Sequence, residues 1–259
     1  MRTFQTGKVL TPGAASSRRG RGAAAALLAS ALAAVGVLPA GPAQAAPRQV
    51  ARWSFDSAAA PMTYRDSTGN GHTLRPLTRH GGRAVPVLHA PGRALLFPWP
   101  CAGAGVECPK AALTTAGTAD LNPGTAAIRY SALVKLPLYR RGTPQVVLTK
   151  GYGNAGGSYK MQLDPRGIPG CILFRTGTGE VYGAGAGPTV ADSVWHRIEC
   201  LRDRTALVLL VDGVQRQRSP IPRALSVANA APLVVGARNT HDRNDQFNGY
   251  LDDVRITIG

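Results

Sequence analysis

Residues 195–213 read WHRIECLRDRTALVLLVDG, and the fold is decided in this stretch. His196, Ile198 and Cys200 alternate with Trp195, Arg197 and Glu199, the period of two expected of a strand with one buried and one wet face. A polar connector follows at 202–205. Leu207, Leu209 and Val211 then share one face of a second strand, with Val208 and Leu210 on the other. Asp212-Gly213 supplies the positive-φ pair of a tight reverse turn into a third strand. Three such strands form an antiparallel meander, and a sheet this apolar needs a second layer to cover it.

Outward from the meander, the chain offers that layer. Residues 50–56 place Ala51, Trp53 and Phe55 against Arg52 and Ser54, a first strand, and the cluster at 66–71 is a turn rich in residues that cap their own backbone. Leu74 and Leu77, then 84–88, 93–97, 110–114, 126–136, 145–150, 159–164, 171–174, 232–236 and 247–258, read as further short strands. The Gly-rich tracts at 151–157 and 177–187 read as loops. No long helix-period segment occurs after residue 45. Many short strands at even spacing predict an all-β fold, a two-sheet antiparallel β-sandwich or jelly roll.

The N-terminus has a different character. Arg2, Lys8, Arg18, Arg19 and Arg21 precede an Ala/Leu/Val run over 23–37, and Ala43-Gln44-Ala45 is a small-x-small cleavage site, so residues 1–45 are expected to be a signal peptide and 46–259 the secreted domain. Ser17-Arg18-Arg19 resembles a twin-arginine pair but lacks the hydrophobic residues expected after it, which favours the general secretory route. No window reaches the ~20 apolar residues of a membrane helix, so no stable membrane insertion is expected. The four cysteines all follow residue 45, an even number in an oxidising compartment, and two disulfides are expected. Three pairings are possible. Cys101 and Cys108 bracket a short Pro/Gly loop while Cys171 and Cys200 lie near strands, which favours 101 with 108 and 171 with 200.

The whole chain carries 30 Lys+Arg against 14 Asp+Glu, a net charge of +16. A basic balance points to polyanions. No run of adjacent cations with interleaved aromatics is present, however, so nucleic acid is not an expected partner and the surplus reads as scattered, solvated arginine.

Eight segments in order resemble one family: TrpSerPheAsp at 53–56, AspSerThrGlyAsnGlyHis at 66–72, GlyArgAlaLeuLeuPhe at 92–97, LysGly at 150–151, TrpHisArgIleGluCys at 195–200, LeuValAspGly at 210–213, ProLeuValValGly at 232–236 and PheAsnGlyTyrLeuAspAspValArgIle at 247–256. The chain after residue 45 resembles the laminin-G-like jelly-roll domains of the concanavalin A-like lectin/glucanase superfamily, in a type common in secreted actinobacterial proteins. The resemblance implies two antiparallel sheets packed face to face with the first and last strands adjacent. It does not choose a function, because the superfamily hosts lectins, adhesion modules and glycosidases.

Hydrolytic members of the superfamily use two nearby glutamates as nucleophile and acid. Glu107, Glu180 and Glu199 are isolated from one another after residue 45, Glu199 reading as a solvated strand position, and the adjacent pair Asp252-Asp253 would point to opposite sheet faces unless a bulge intervenes. A catalytic role is therefore not expected. His196 reads as a hydrogen-bonded structural residue, with no carboxylate partner identifiable from sequence. The resemblance implies calcium at the sandwich rim, for which Asp56, Asp66, Asn70, Asp252 and Asp253 are the candidate oxygen donors. It also implies a sugar site built from loop aromatics and polar side chains. The polar loop at 238–247 supplies Arg238, Asn239, His241, Asp242, Asn244 and Asp245, and Tyr152 and Tyr182 are the candidate stacking residues. Trp99 is a third loop aromatic, with covering of the Cys101–Cys108 loop as its plainer role. The expected function is non-catalytic binding of an extracellular glycan or cell-wall polymer; the alternatives are an adhesion module with a protein partner and a glycoside hydrolase with a non-standard carboxylate site.

Overall fold

The computed structural model describes residues 46–57, 62–101, 107–152 and 156–259. The export segment expected at 1–45 lies outside the described residues. Among the described residues, fifteen strands form two antiparallel sheets. The first sheet runs β13 (Val214–Pro220), β12 (Ala206–Val211), β11 (His196–Arg202), β6 (Ile128–Lys135), β15 (Tyr250–Ile258), β4 (Gly92–Leu96), β3 (Val85–His89), with β1 (Arg48–Trp53) alongside the C-terminal half of β15. The second runs β10 (Val181–Gly185), β9 (Pro169–Phe174), β8 (Ser158–Leu163), β7 (Gln145–Lys150), β14 (Leu233–Val235), β5 (Lys110–Thr115), β2 (Arg75–Arg79). The first and last strands are neighbours, with Arg52 opposite Arg255 and Trp53 opposite Val254.

The meander forms as its alternation requires. Ile198, Cys200, Leu207, Leu209 and Val211 face the core, and Asp212 and Gly213 turn the chain at φ 53° and 76°. Between the sheets lie Trp53, Tyr130, Tyr159, Phe97 and Phe247, all buried. The Trp53 indole N–H donates to the carbonyl of His72 at 2.7 Å, so the large ring leaves no polar atom unmet. Both expected disulfides are present. Cys171 lies on β9 and Cys200 on β11, so this bridge staples one sheet to the other through the core. Gly236 makes the sandwich close: its φ is +88°, and a Cβ there would lie 2.0 Å from the Phe97 ring.

Three local features differ from the sequence reading. The tract at 177–187 contains a strand, β10, because Val181 and Tyr182 pair with Phe174 and Leu173 on the open edge of β9. Leu138–Arg140, to which the sequence pattern assigns no element, forms a 3₁₀ turn. The third concerns β15, where Asp253 takes φ 44° and the register against β6 shifts between Asp252 and Arg255. This bulge brings both carboxylates to the outer face of the first sheet, where adjacent residues of a regular strand would alternate.

Candidate functional site

The polar loop at 238–247 connects β14 to β15 and is fastened from both ends. Gln246, buried beneath it, accepts from the Ala111 N–H and donates to the carbonyls of Ala111 and Gly236. Asn248 donates to the Pro98 carbonyl at 2.8 Å, and its own N–H meets Gln145 Oε1 at 2.9 Å. Within the loop Arg238 pairs with Asp245 at 3.1 Å, and Asn244 donates to the Asn239 carbonyl at 2.8 Å. Arg243 and Asp245 both sit at positive φ, 53° and 51°, a conformation costly for residues with a Cβ and held here by these bonds.

Asn244, Asp245 and Arg243 form one wall of a pocket of about 310 Å³, whose other walls include Lys110, Trp99 and the Cys101–Cys108 bridge. Trp99 is 57 % exposed yet fixed. Its ring stacks on Tyr139 with centroids 5.5 Å apart and planes 17° apart, and the Arg140 guanidinium lies 3.4 Å from its centroid. Arg140 itself is buried and donates to the Asn248 carbonyl at 2.7 Å, tying the aromatic platform to the base of the loop. Its Nε and Nη2 make no hydrogen bond with the described residues. The platform continues inward, since Tyr250 lies 5.9 Å from Arg140 and packs edge-on to Trp195, which stacks on His89 at 4.1 Å. Trp99 thus borders the disulfide, as expected, and Tyr139 and Arg140 fix the orientation of its ring.

Of the residues singled out from sequence, Asn244 and Asp245 reach this pocket, and Arg238 holds Asp245 in place. Asn239 caps the turn at His241 by accepting its N–H at 2.9 Å, while His241 and Asp242 project into solvent. Tyr152 and Tyr182 do not join them. The Val146 N–H donates to the Asp245 carbonyl at one end of β7, whereas Tyr152 lies beyond Lys150 at the other end, roughly 17 Å away along the strand. Tyr182 is level with that far end through Leu173 and Tyr159 and packs against the core. Register therefore sets both tyrosines at the far end of the second sheet from the loop. The stacking residues that do flank the loop, Trp99 and Tyr139, sit far from it in sequence, and Arg140 carries no sequence signal beyond its neighbouring aromatic.

The five expected calcium donors fall into three environments. Asp66 accepts from the N–H groups of Arg52 and Thr68 and from the Thr68 hydroxyl, and Asn70 donates to the Val50 carbonyl, so both serve the turn. Asp253 is enclosed by Arg52 at 3.0 Å, Arg197 at 2.7 Å and Arg255 at 2.9 Å. Burial opposes its ionisation, but the hydrogen bonds from the three guanidinium groups outweigh it and hold the carboxyl down to about 2. Asp56 and Asp252 share a cleft of about 710 Å³, where Asp252 meets His89 at 2.6 Å and Asp56 accepts the Arg93 N–H at 2.9 Å across Gly92. Burial raises Asp252, with Asp56 adding to the effect against the hydrogen bond to His89. The five do not fit one calcium site, and among the described residues no group of three or more His, Cys, Asp or Glu side chains is arranged to hold a metal.

Two further expectations change. His196 has carboxylate partners after all, Asp212 at 2.7 Å and Asp192 at 3.1 Å, which close the hairpin; these bonds raise its pKa against the opposing effect of burial. Glu199 is only 16 % exposed and faces Arg129 at 3.6 Å, so it is paired rather than freely solvated.

A family model of laminin-G type, described as the concanavalin A-like lectin/glucanases superfamily, matches residues 110–257. The chain belongs to this superfamily. Solved structures sharing the jelly roll include the binding domain of Paraclostridial Mosquitocidal Protein 1 (14 % identity, TM-score 0.58, 80 % of this chain and 48 % of that one). A second is domain 4 of AbnA, an extracellular arabinanase of Geobacillus stearothermophilus, in complex with arabinotriose (19 % identity, TM-score 0.56, 82 % and 93 %). A third is the binding domain of botulinum neurotoxin DC in complex with rat synaptotagmin II (10 % identity, TM-score 0.58, 80 % and 48 %). The chain spans about half the length of the two toxin chains. At these identities the likeness is one of fold. Comparison with curated proteins gives no match.

Proposed function

We propose that this superfamily member is a non-catalytic extracellular module that binds a carbohydrate in the pocket between Trp99 and the loop at 238–247. One observation carries the reading: Trp99, more than half exposed as a residue, is held by Arg140 and Tyr139 in the wall of a pocket that Arg243, Asn244 and Asp245 also line. A sugar ring needs an apolar platform for its C–H face and fixed polar groups for its hydroxyls, and this pocket offers both without a rearrangement. The arabinotriose complex of a domain with the same fold supports a glycan as ligand. Two disulfides and the export-type N-terminus support an extracellular setting.

Hydrolysis is not part of the proposal. Asp253, one member of the only adjacent carboxylate pair, is taken up by three arginines, and Glu199 by Arg129. A glycan array probed with the wild-type chain, followed by calorimetry on the best oligosaccharide, tests the reading. Binding that Trp99→Ala reduces by about a hundredfold supports it, on the scale of one lost buried aromatic contact. An array without neutral-glycan hits, together with capture of a defined protein partner, would replace it by adhesion.

A further inference from the structure

Four arginines far apart in sequence, Arg52, Arg129, Arg197 and Arg255, converge on the outer face of the first sheet. Register places Glu199, Ser131, Arg255 and Arg52 in one cross-strand row over β11, β6, β15 and β1, and Leu201, Arg129, Thr257 and Gln49 in the next. All eight share the side opposite the core residues Cys200, Tyr130, Ile256 and Ala51. Arg197 adds a fourth guanidinium through Asp253. A shallow depression of about 200 Å³ lies among Arg129, Ser131, Glu199 and Arg255.

We infer that this face is a second binding surface, for a linear polysaccharide with spaced carboxylate or sulfate groups, distinct from the Trp99 pocket. With the adjoining Asp56–Asp252 cleft included, five arginines (Arg52, Arg93, Arg129, Arg197 and Arg255) stand against four carboxylates (Asp56, Glu199, Asp252 and Asp253), so the face keeps a small positive balance, concentrated around Arg129. Asp253 takes one donor from Arg52, one from Arg197 and two from Arg255, leaving the remaining guanidinium donors available to a ligand. Asp253 also holds those three groups in place, so little rotamer freedom is lost on binding. The side chains of Arg52, Arg129 and Arg255 are 40 %, 53 % and 40 % exposed. Ser131, Thr257 and Gln49 between them suit hydroxyl groups. Glu199 and Asp253 would repel a continuous phosphate backbone, and among the described residues no aromatic ring stands among the arginines to stack a base.

The test uses heparin as a sulfated probe, polygalacturonate as a carboxylated one and dextran as a neutral control, with the full secreted domain. Arg129→Glu is the first variant, because Arg129 is half exposed and lies outside the Asp253 cluster. Arg166→Glu, on an exposed loop, makes the same change in net charge elsewhere. Arg129→Glu is expected to weaken binding to at least one anionic probe about tenfold, as for a lost charge-assisted contact. Arg166→Glu should change it less than about twofold at 0.15 M salt. Whether heparin, polygalacturonate or both respond identifies the anionic group. Trp99→Ala should leave anionic-probe binding intact, so failure of this surface and failure of the pocket are separable. Equal losses in the two arginine variants, no binding of either polyanion, or equal retention of single-stranded RNA with the same Arg129 dependence would each overturn the inference.

Discussion

Replacing Asp253 by Asn keeps the shape of the side chain and removes the charge that Arg52, Arg197 and Arg255 share. The carboxyl is held at about 2 against an ordinary 3.8, and its side chain is only 10 % exposed. At about 1.4 kcal/mol per pH unit, that depression corresponds to about 2 kcal/mol of folding stability. Because the folded pKa is the lower one, the contribution is complete above 3.8 and is lost as pH falls through 2. Urea unfolding of wild type and Asp253→Asn should therefore differ by about 2 kcal/mol at pH 7, equivalent to roughly 4–8 °C in Tm for a domain of this size, and the difference should shrink toward pH 2. A variant within about 0.5 kcal/mol of wild type at pH 7, or a difference independent of pH, would refute the reasoning and reduce the cluster to an ordinary surface network.

Other consequences are equally open to measurement. The raised His196 should titrate above 6.5 by NMR, and its stabilising bonds to Asp212 and Asp192 are present below that pH and lost as pH rises through the folded pKa; His196→Gln should remove that slope. Gly236→Ala should cost about 2–4 kcal/mol by urea melt, since it combines a strained φ with a clash against Phe97. Removing the inter-sheet bridge by Cys171→Ser with Cys200→Ser, a span of 29 residues, should cost about 3–4 kcal/mol. Thermal melts in calcium and in EGTA should coincide; a higher midpoint with calcium would make the Asp56–Asp252 cleft an ion site.

Strand periodicity made the meander, the Asp212-Gly213 turn and the buried faces legible, because alternation is a local property of the backbone. Cysteine context likewise separated the two bridges. What escaped was non-local or depended on one irregular residue. The bulge at Asp253 needs a positive φ that Asp rarely announces, and it reversed the expected facing of the Asp252-Asp253 pair. The edge strand β10 forms because β9 offers it a partner, despite its glycines. The stack of Trp99 on Arg140 joins residues 41 apart through a 3₁₀ turn, and nothing in either segment's pattern points to the other. Tyr152 and Tyr182 had the right chemistry for a stacking role, but strand order assigns them to the opposite end of the sandwich. His196 was within reach of sequence reasoning: Asp192 precedes it by four residues, and the hairpin register folds Asp212 back against it.

A glycan seated between Trp99 and the loop at 238–247 would perturb the nuclei that line this pocket. Chemical-shift mapping with the strongest oligosaccharide from the array tests it most directly. Saturable shifts are expected of the Trp99 indole N–H, the Asn244 and Asn248 side-chain amides and the Asp245 backbone, with Trp53 silent in the core. Shifts confined to the Tyr152 and Tyr182 end of the second sheet, with Trp99 unmoved, would contradict it.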